Sequence, residues 1–165
     1  MRVGLFGGSF DPAHEGHAHV ALTALKRLGL DKIWWLVTPQ NPLKPQSSPL
    51  AARLASARRF ARGMRMEASD VETRLGTQYT ADTLEALRAH YPGVAFTFIM
   101  GADSAASFRR WARWREIAAK TDIVVIPRPG AGVRERMAAP KGFRYLLARL
   151  DPHSSTALRS GKAEH

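Results

Sequence analysis

The 165-residue sequence contains no cysteine, which excludes disulfide scaffolds, thiolate metal sites and cysteine nucleophiles together. No apolar run approaches the 18 or so residues that span a membrane. Behind Met1 there is neither the long apolar segment nor the small-residue cleavage site of a secretory leader, so the expected location is the cytoplasm. Acidic residues are few: 14 Asp and Glu stand against 25 Lys and Arg, a net charge of +11. Such a chain attracts anions, whether nucleic acid, nucleotide or acidic membrane, without charge alone choosing among them. Many of the arginines also read simply as solvated helix faces. The remaining composition, 45% apolar and 24% charged, is that of a globular chain. Its length fits one domain able to bury roughly 70% of its unfolded surface.

Strands and helices alternate along the chain. Arg2–Phe6 reads as a buried strand running into the Gly7-Gly8-Ser9 turn and Pro12. His17–Leu28 places Val20, Ala24, Leu25 and Leu28 at helical spacing, with Gly29 as its stop. Lys32–Thr38, nearly all apolar, reads as a strand covered on both faces. A proline-rich loop over 39–49 leads to an Ala/Arg-rich helix over Leu50–Met64. A short strand is expected near Asp70–Thr73, a helix over Ala81–Tyr91, and strands over Val94–Met100 and Asp122–Pro127. Between those two strands, one helix is expected from the Gly101–Ser104 turn to about Lys120. Phe143–Arg149 is the expected last strand, before a helix cap at Asp151–Thr156. The alternation implies a three-layer α/β fold with a mostly parallel sheet and ligands at the C-terminal strand ends.

Four segments carry candidate chemistry. The first, Gly7 to His17, joins the first strand to the first helix. A Gly-rich turn lets phosphate approach the backbone, and the helix start offers N–H groups and the positive dipole end. His14 and His17 flank Gly16 and can donate imidazole N–H groups to phosphate oxygens. The segment matches neither the dinucleotide fingerprint nor the P-loop. Its plain alternative is two surface histidines beside a turn. A zinc site from His14, His17 and His19 is disfavoured, because the three do not share one helical face. The second segment is His153–Arg159, where Ser154, Ser155 and Thr156 begin a helix and Arg159 follows one turn later. It forms either a phosphate clamp or an ordinary cap with a surface arginine. In the third, Asp103 after Gly101-Ala102 accepts from a ribose hydroxyl or caps the next helix. The fourth, Phe108–Arg115, interleaves Trp with Arg. It suits base stacking and nucleic-acid backbones, or else packs Trp111 and Trp114 inside an amphipathic helix.

Together these segments resemble the nucleotidylyltransferase superfamily, marked by a His-x-Gly-His motif after the first strand and a Ser-x-Thr-x-x-Arg motif near the C-terminus. Here they are His14-Glu15-Gly16-His17 and Ser154-Ser155-Thr156-Ala157-Leu158-Arg159. Within it the chain is most similar to the bacterial nicotinate-nucleotide adenylyltransferases. Gly8–Pro12, Thr38–Lys44, Tyr79–Leu84, Met100 to Trp111 and Arg128-Pro129-Gly130 carry that likeness. The resemblance implies a Rossmann-like fold in a single domain over 1–165, with a shortened C-terminal region. It implies that the phosphate of nicotinate mononucleotide attacks the α-phosphorus of ATP, giving deamido-NAD and pyrophosphate. Mg²⁺ would travel with the triphosphate, with no protein side chain as its ligand, and no protein nucleophile would be needed. His14, His17 and Arg159 would be catalytic, and Gly8, Ser9, Phe10, Gly101, Asp103, Ser154 and Thr156 would join them in binding ATP. Lys44, Thr80 and Trp111 would bind the nicotinate nucleotide, Trp111 by stacking on its ring and Thr80 and neighbouring N–H groups by holding its carboxylate. So short a C-terminal clamp, with His153 where the family more often has an aliphatic residue, admits completion by a second subunit.

Two other readings stay open. A pantetheine-phosphate or nicotinamide mononucleotide adenylyltransferase would share both phosphate motifs, although the Asn41–Lys44 loop and the Trp111 segment speak against the first. A non-catalytic basic nucleic-acid-binding module on the same fold would suit the Arg/Trp segment, and its binding would fall steeply with salt.

Overall fold

The computed structural model describes residues 1–39, 46–128, 140 and 142–146. In chain order these form β1 (Arg2–Gly8), α1 (Glu15–Arg27), β2 (Lys32–Val37), α2 (Leu50–Phe60), β3 (Met66–Ser69), α3 (Val71–Leu75) and α4 (Thr80–His90). Then follow β4 (Ala95–Met100), α5 (Ala102–Ser107), a 3₁₀ turn (Phe108–Arg110), α6 (Trp114–Lys120), β5 (Asp122–Val125) and β6 (Arg144–Tyr145). The strands make one six-stranded sheet in the order β3-β2-β1-β4-β5-β6. Every ladder is parallel, with Phe6 opposite Trp35 on one side of β1 and Ile99 on the other.

The apolar runs of the central strands fill both faces because successive side chains point to opposite sides. Phe6, Ile33, Trp35, Val37, Ile99 and Val124 face α1 and α2, where Val20, Ala24, Leu25 and Ala57 close the layer. Val3, Leu5, Leu36, Phe98, Met100 and Val125 face the other way, toward Leu84 and Leu87 of α4, Ala105 of α5 and Ile117 of α6. This is the three-layer α/β arrangement with a parallel sheet that the alternation implies. No helix among the described residues is long and apolar enough to cross a membrane.

Several boundaries differ from expectation. The expected strand at Asp70–Thr73 is instead the short helix α3, and the strand precedes it at Met66–Ser69. The Ser69 hydroxyl accepts the Val71 N–H at 3.2 Å, and Gly76 at φ +68° ends the turn, so local hydrogen bonds favour a single helical turn. The expected helix from Gly101 to Lys120 is broken in three, with Trp111 extended and Arg113 at φ +54°. The break has a packing cause. Phe108 is fully buried, with Trp111 at 5.1 Å and Trp114 at 6.3 Å between ring centroids. On one straight helix residue 114 would project well away from the face shared by 108 and 111. Helix α2 ends four residues early, as Ala61 leaves helical backbone and Gly63 takes φ +98°. Of the expected last strand, Arg144–Tyr145 is seen and residues 147–149 lie outside the described chain.

Candidate active site

The strand order reverses direction between β1 and β4, so the loops leaving their C-terminal ends diverge and open a crevice. A cavity of about 490 Å³ occupies it. Gly8, Ser9, Phe10, His14 and His17 line it from the β1–α1 turn, Gly101 and Asp103 from the β4–α5 turn, and Thr80 and Trp111 from beyond β3 and β4. Nine of the expected site residues are thus gathered around one cavity. Lys44, Ser154, Thr156 and Arg159 lie outside the described residues.

The His-x-Gly-His segment folds into a reciprocal cap on α1. Gly16 N–H donates to His14 Nδ1 at 3.0 Å, and His14 N–H donates to His17 Nδ1 at 3.1 Å. His17 spends its Nδ1 lone pair on a main-chain donor, so in the neutral form it carries its proton on Nε2, and the Gly16 N–H favours the same tautomer for His14. The rings stack at 3.9 Å, and Phe10 braces His17 edge-on at 5.1 Å. Phe10 itself adopts φ +49°, a costly conformation for a bulky residue, and is held there by burial against Phe6 and Trp35. Gly16 is required by close approach: a Cβ there would fall 2.8 Å from the His14 ring and 2.9 Å from Arg128 Cδ.

Arg128, at the end of β5, completes this side. One guanidinium nitrogen lies 2.9 Å from His14 Nε2 and the other 3.5 Å from Asp103 Oδ2. His14 therefore faces a donor at both ring nitrogens, while a neutral imidazole accepts at only one. Burial first, and then the Arg128 charge, lower the His14 pKa below 6.5, with Asp103 opposing. Protonation does not relieve the conflict. An anionic oxygen placed between His14 Nε2–H and Arg128 would accept from both.

Arg53, read in the sequence as one more solvated arginine, holds the loops beneath. It is 2% exposed. Its guanidinium donates to four carbonyls: Thr38 at 2.6 Å, Ser48 and Pro39 at 2.7 Å, and Ser9 at 3.0 Å. Ser56, one turn on, accepts from Ala13 N–H at 2.9 Å. Helix α2 thereby ties the β1–α1 turn to the end of β2.

The other side of the cavity lies over the opposite face of the sheet. Trp111 stands perpendicular to Phe98, centroids 6.1 Å apart, and leaves part of its indole exposed. Helix α4 begins at Thr80 after Tyr79, and no side chain among the described residues caps its first N–H groups. Asp103 is not the cap of α5, since Gly101 takes that position and Asp103 folds back over it, Oδ1 2.8 Å from where a Gly101 Cβ would stand. Arg128, Arg53 and Glu72 were missed as site residues. Arg128 stood in a segment that carries the family likeness, and Arg53 shares the i, i+1, i+4 face with Leu54 and Ala57.

The cytidylyltransferase-like family profile matches residues 5–161. The "Probable nicotinate-nucleotide adenylyltransferase" of Caulobacter sp. is 58% identical over 160 residues, 96% of this chain and 84% of its own length. The protein of the same name from Cereibacter sphaeroides is 54% identical over 160 residues, 96% of this chain and 86% of its own. Among solved structures, Plasmodium falciparum nicotinic acid mononucleotide adenylyltransferase complexed with NaAD superposes with a TM-score of 0.71 at 18% identity, covering 91% of this chain and 77% of that one. At that identity the likeness is one of fold.

Proposed function

The chain belongs to the nicotinate-nucleotide adenylyltransferases of the cytidylyltransferase-like family, and from that premise we infer how its cleft works. It is a nucleotidyltransferase that passes the adenylyl group of ATP to nicotinate mononucleotide in NAD biosynthesis. A phosphate oxygen of the mononucleotide forms a bond to the α-phosphorus, the bond from that phosphorus to the bridging oxygen breaks, and pyrophosphate leaves. The observation that carries the assignment of the phosphate site is the convergence of His14, His17 and Arg128 at the switch point, with donors in excess of acceptors.

In this reading the triphosphate lies along the β1–α1 turn and the α1 start, where N–H groups and the dipole favour it. His14, neutral at pH 7, donates through Nε2 beside Arg128. His17 Nε2–H makes the bond that strengthens as charge develops around the α-phosphorus. Asp103 accepts from the ribose of the adenosine. The pyridine ring stacks on Trp111, and its carboxylate takes the uncapped N–H groups at the start of α4. Ser154, Thr156 and Arg159 hold the β- and γ-phosphates, and Lys44 lies near the mononucleotide. Mg²⁺ would be carried by the nucleotide and held chiefly by its phosphates. Bound with ATP, Mg²⁺ supplies charge neutralisation on the triphosphate. With ATP as donor, we place the reaction in the cytoplasm.

The test is pyrophosphate release from ATP and Mg²⁺, offered nicotinate mononucleotide, nicotinamide mononucleotide or phosphopantetheine in parallel. Preferred turnover of the nicotinate substrate is the expected result. Preference for another acceptor would overturn the pyridine-carboxylate site. Silence with all three from folded protein would overturn the reaction and favour a binding module.

A further inference from the structure

Glu72 is a group that adenylyl transfer does not call for, yet it stands in the cavity wall. It lies on α3 and is 3% exposed. Its Oε1 accepts from the Thr83 hydroxyl at 3.1 Å, and that hydroxyl lies 2.8 Å from Thr77 Oγ1 and 3.2 Å from the Tyr79 carbonyl. Its Oε2 is buried with no partner among the described residues. Thr83 is the fourth residue of α4, so the carboxyl is docked against the helical turn whose N–H groups open the helix.

Among the described residues this carboxyl has no countercharge. Strand β2, which packs on α3, carries only Lys32, at its far end. On α3 and its cap, Arg74 pairs with Asp70 at 3.2 Å. On α4, Asp82 is tied to Arg113, and Glu85 is exposed. Tyr79 and Arg110 line the same cavity. None of them moves the carboxyl: burial raises it to about 7, and only the Thr83 hydroxyl works the other way.

We propose that Glu72 is a specificity-determining residue for the acceptor, admitting a carboxylate-bearing pyridine at the start of α4 only while its own carboxyl is protonated, and an amide-bearing one in either state. This rests on the reading that the α4 N–H groups hold the substrate carboxylate. Two carboxylates sharing one buried site cannot both stay ionised cheaply, so one keeps a proton. Binding of the nicotinate nucleotide then takes up a proton from solvent at Glu72, and product release returns it. The amide analogue brings no second charge and is indifferent to that proton.

The experiment is the pH dependence of KM from pH 6 to 9 for nicotinate mononucleotide, nicotinamide mononucleotide (as substrate or competitive inhibitor) and ATP. It is run on the wild type, Glu72→Gln and Thr83→Val, each checked for folding by its melting curve. In the wild type the nicotinate KM is expected to rise above pH 7, approaching tenfold per pH unit, while the amide and ATP constants do not follow. Glu72→Gln should flatten that curve, giving at pH 8.5 a nicotinate KM about tenfold or more below wild type. Thr83→Val, which removes the bond that favours the charged form, should move the break to higher pH. Superimposable wild-type and Glu72→Gln profiles would overturn the proposal. Should Glu72→Gln fail to fold, an unmoved break in Thr83→Val would do so instead. Failure of the underlying reading shows separately, as wild type that turns over phosphopantetheine but not nicotinate mononucleotide at any pH, and it removes the proposal too.

Discussion

The two sides of the cleft meet an anion on opposite terms. Over the α1 face, Arg128 turns a donor toward His14, whose other ring nitrogen already accepts from the Gly16 N–H, and the shortage is of an acceptor. Over the α4 face, the uncapped helix start sits beside a buried acid that has no countercharge among the described residues. In the proposed reading the first side draws negative charge through Arg128 and the imidazole donors, and the second does so subject to one proton. A net charge of +11 describes neither. In this proposal local hydrogen-bond balance, not the overall sum of charges, separates the phosphate side from the side that discriminates between acid and amide.

Four changes break or sharpen that contrast. The largest effect is expected from His17→Ala, which strikes the donor side where charge develops. Turnover should fall about 10²–10³-fold while KM for ATP moves much less, and steady-state kinetics would check the split. Equal turnover with weakened ATP binding would reduce His17 to a binding group.

Arg53→Met undermines the same side from below. It strands four carbonyls that the guanidinium now satisfies, a loss on the order of 4 kcal/mol. The melting temperature should drop by roughly 10 °C, against almost nothing for Arg58→Met on the exposed face of the same helix.

Glu72→Gln removes what sets the other side apart, and its signature is in stability as well as KM. The folded protein holds the Glu72 proton up to about 7, against 4.5 for an exposed carboxyl. The Glu72 contribution to stability therefore declines as pH rises from 4.5 to 7, by up to about 3 kcal/mol. Glutamine has no such proton to lose, so the variant should gain on wild type in thermal melts at pH 8 and lose that gain toward pH 4.5.

The smallest effect is expected from Trp111→Ala, which should raise KM for nicotinate mononucleotide about tenfold through lost stacking and leave KM for ATP nearly unchanged. A rise shared by both substrates, or a protein that no longer folds, would make Trp111 chiefly a packing residue against Phe108.

The donor side was the more legible in the sequence, for a physical reason. Its turn, glycine and histidines lie within a few residues of one another, so their place at a helix start was readable from spacing, although the reciprocal cap was not. The parallel sheet was legible for the same reason, since runs such as Ile33–Val37 need only themselves to declare a strand buried on both faces. Glu72 was not legible, because its character comes from burial by α4 and from a turn of helix where the local residues suggested a strand. Arg53 looked like Arg58 and Arg59, and only its phase on α2, one residue from Leu54, set it apart. Arg128 stood within a recognised segment, but its meeting with His14 spans 114 positions.

The most direct test is the structure of this chain with deamido-NAD bound. The expected complex has the pyridine ring against Trp111 and its carboxylate within hydrogen-bond distance of the Thr80 N–H. His17 Nε2 and Arg128 would reach the phosphates over the other face of the sheet. A complex with the pyridine ring beside His14 and His17, or with its carboxylate facing Arg128, would contradict the division of the cleft into a donor side and a discriminating side.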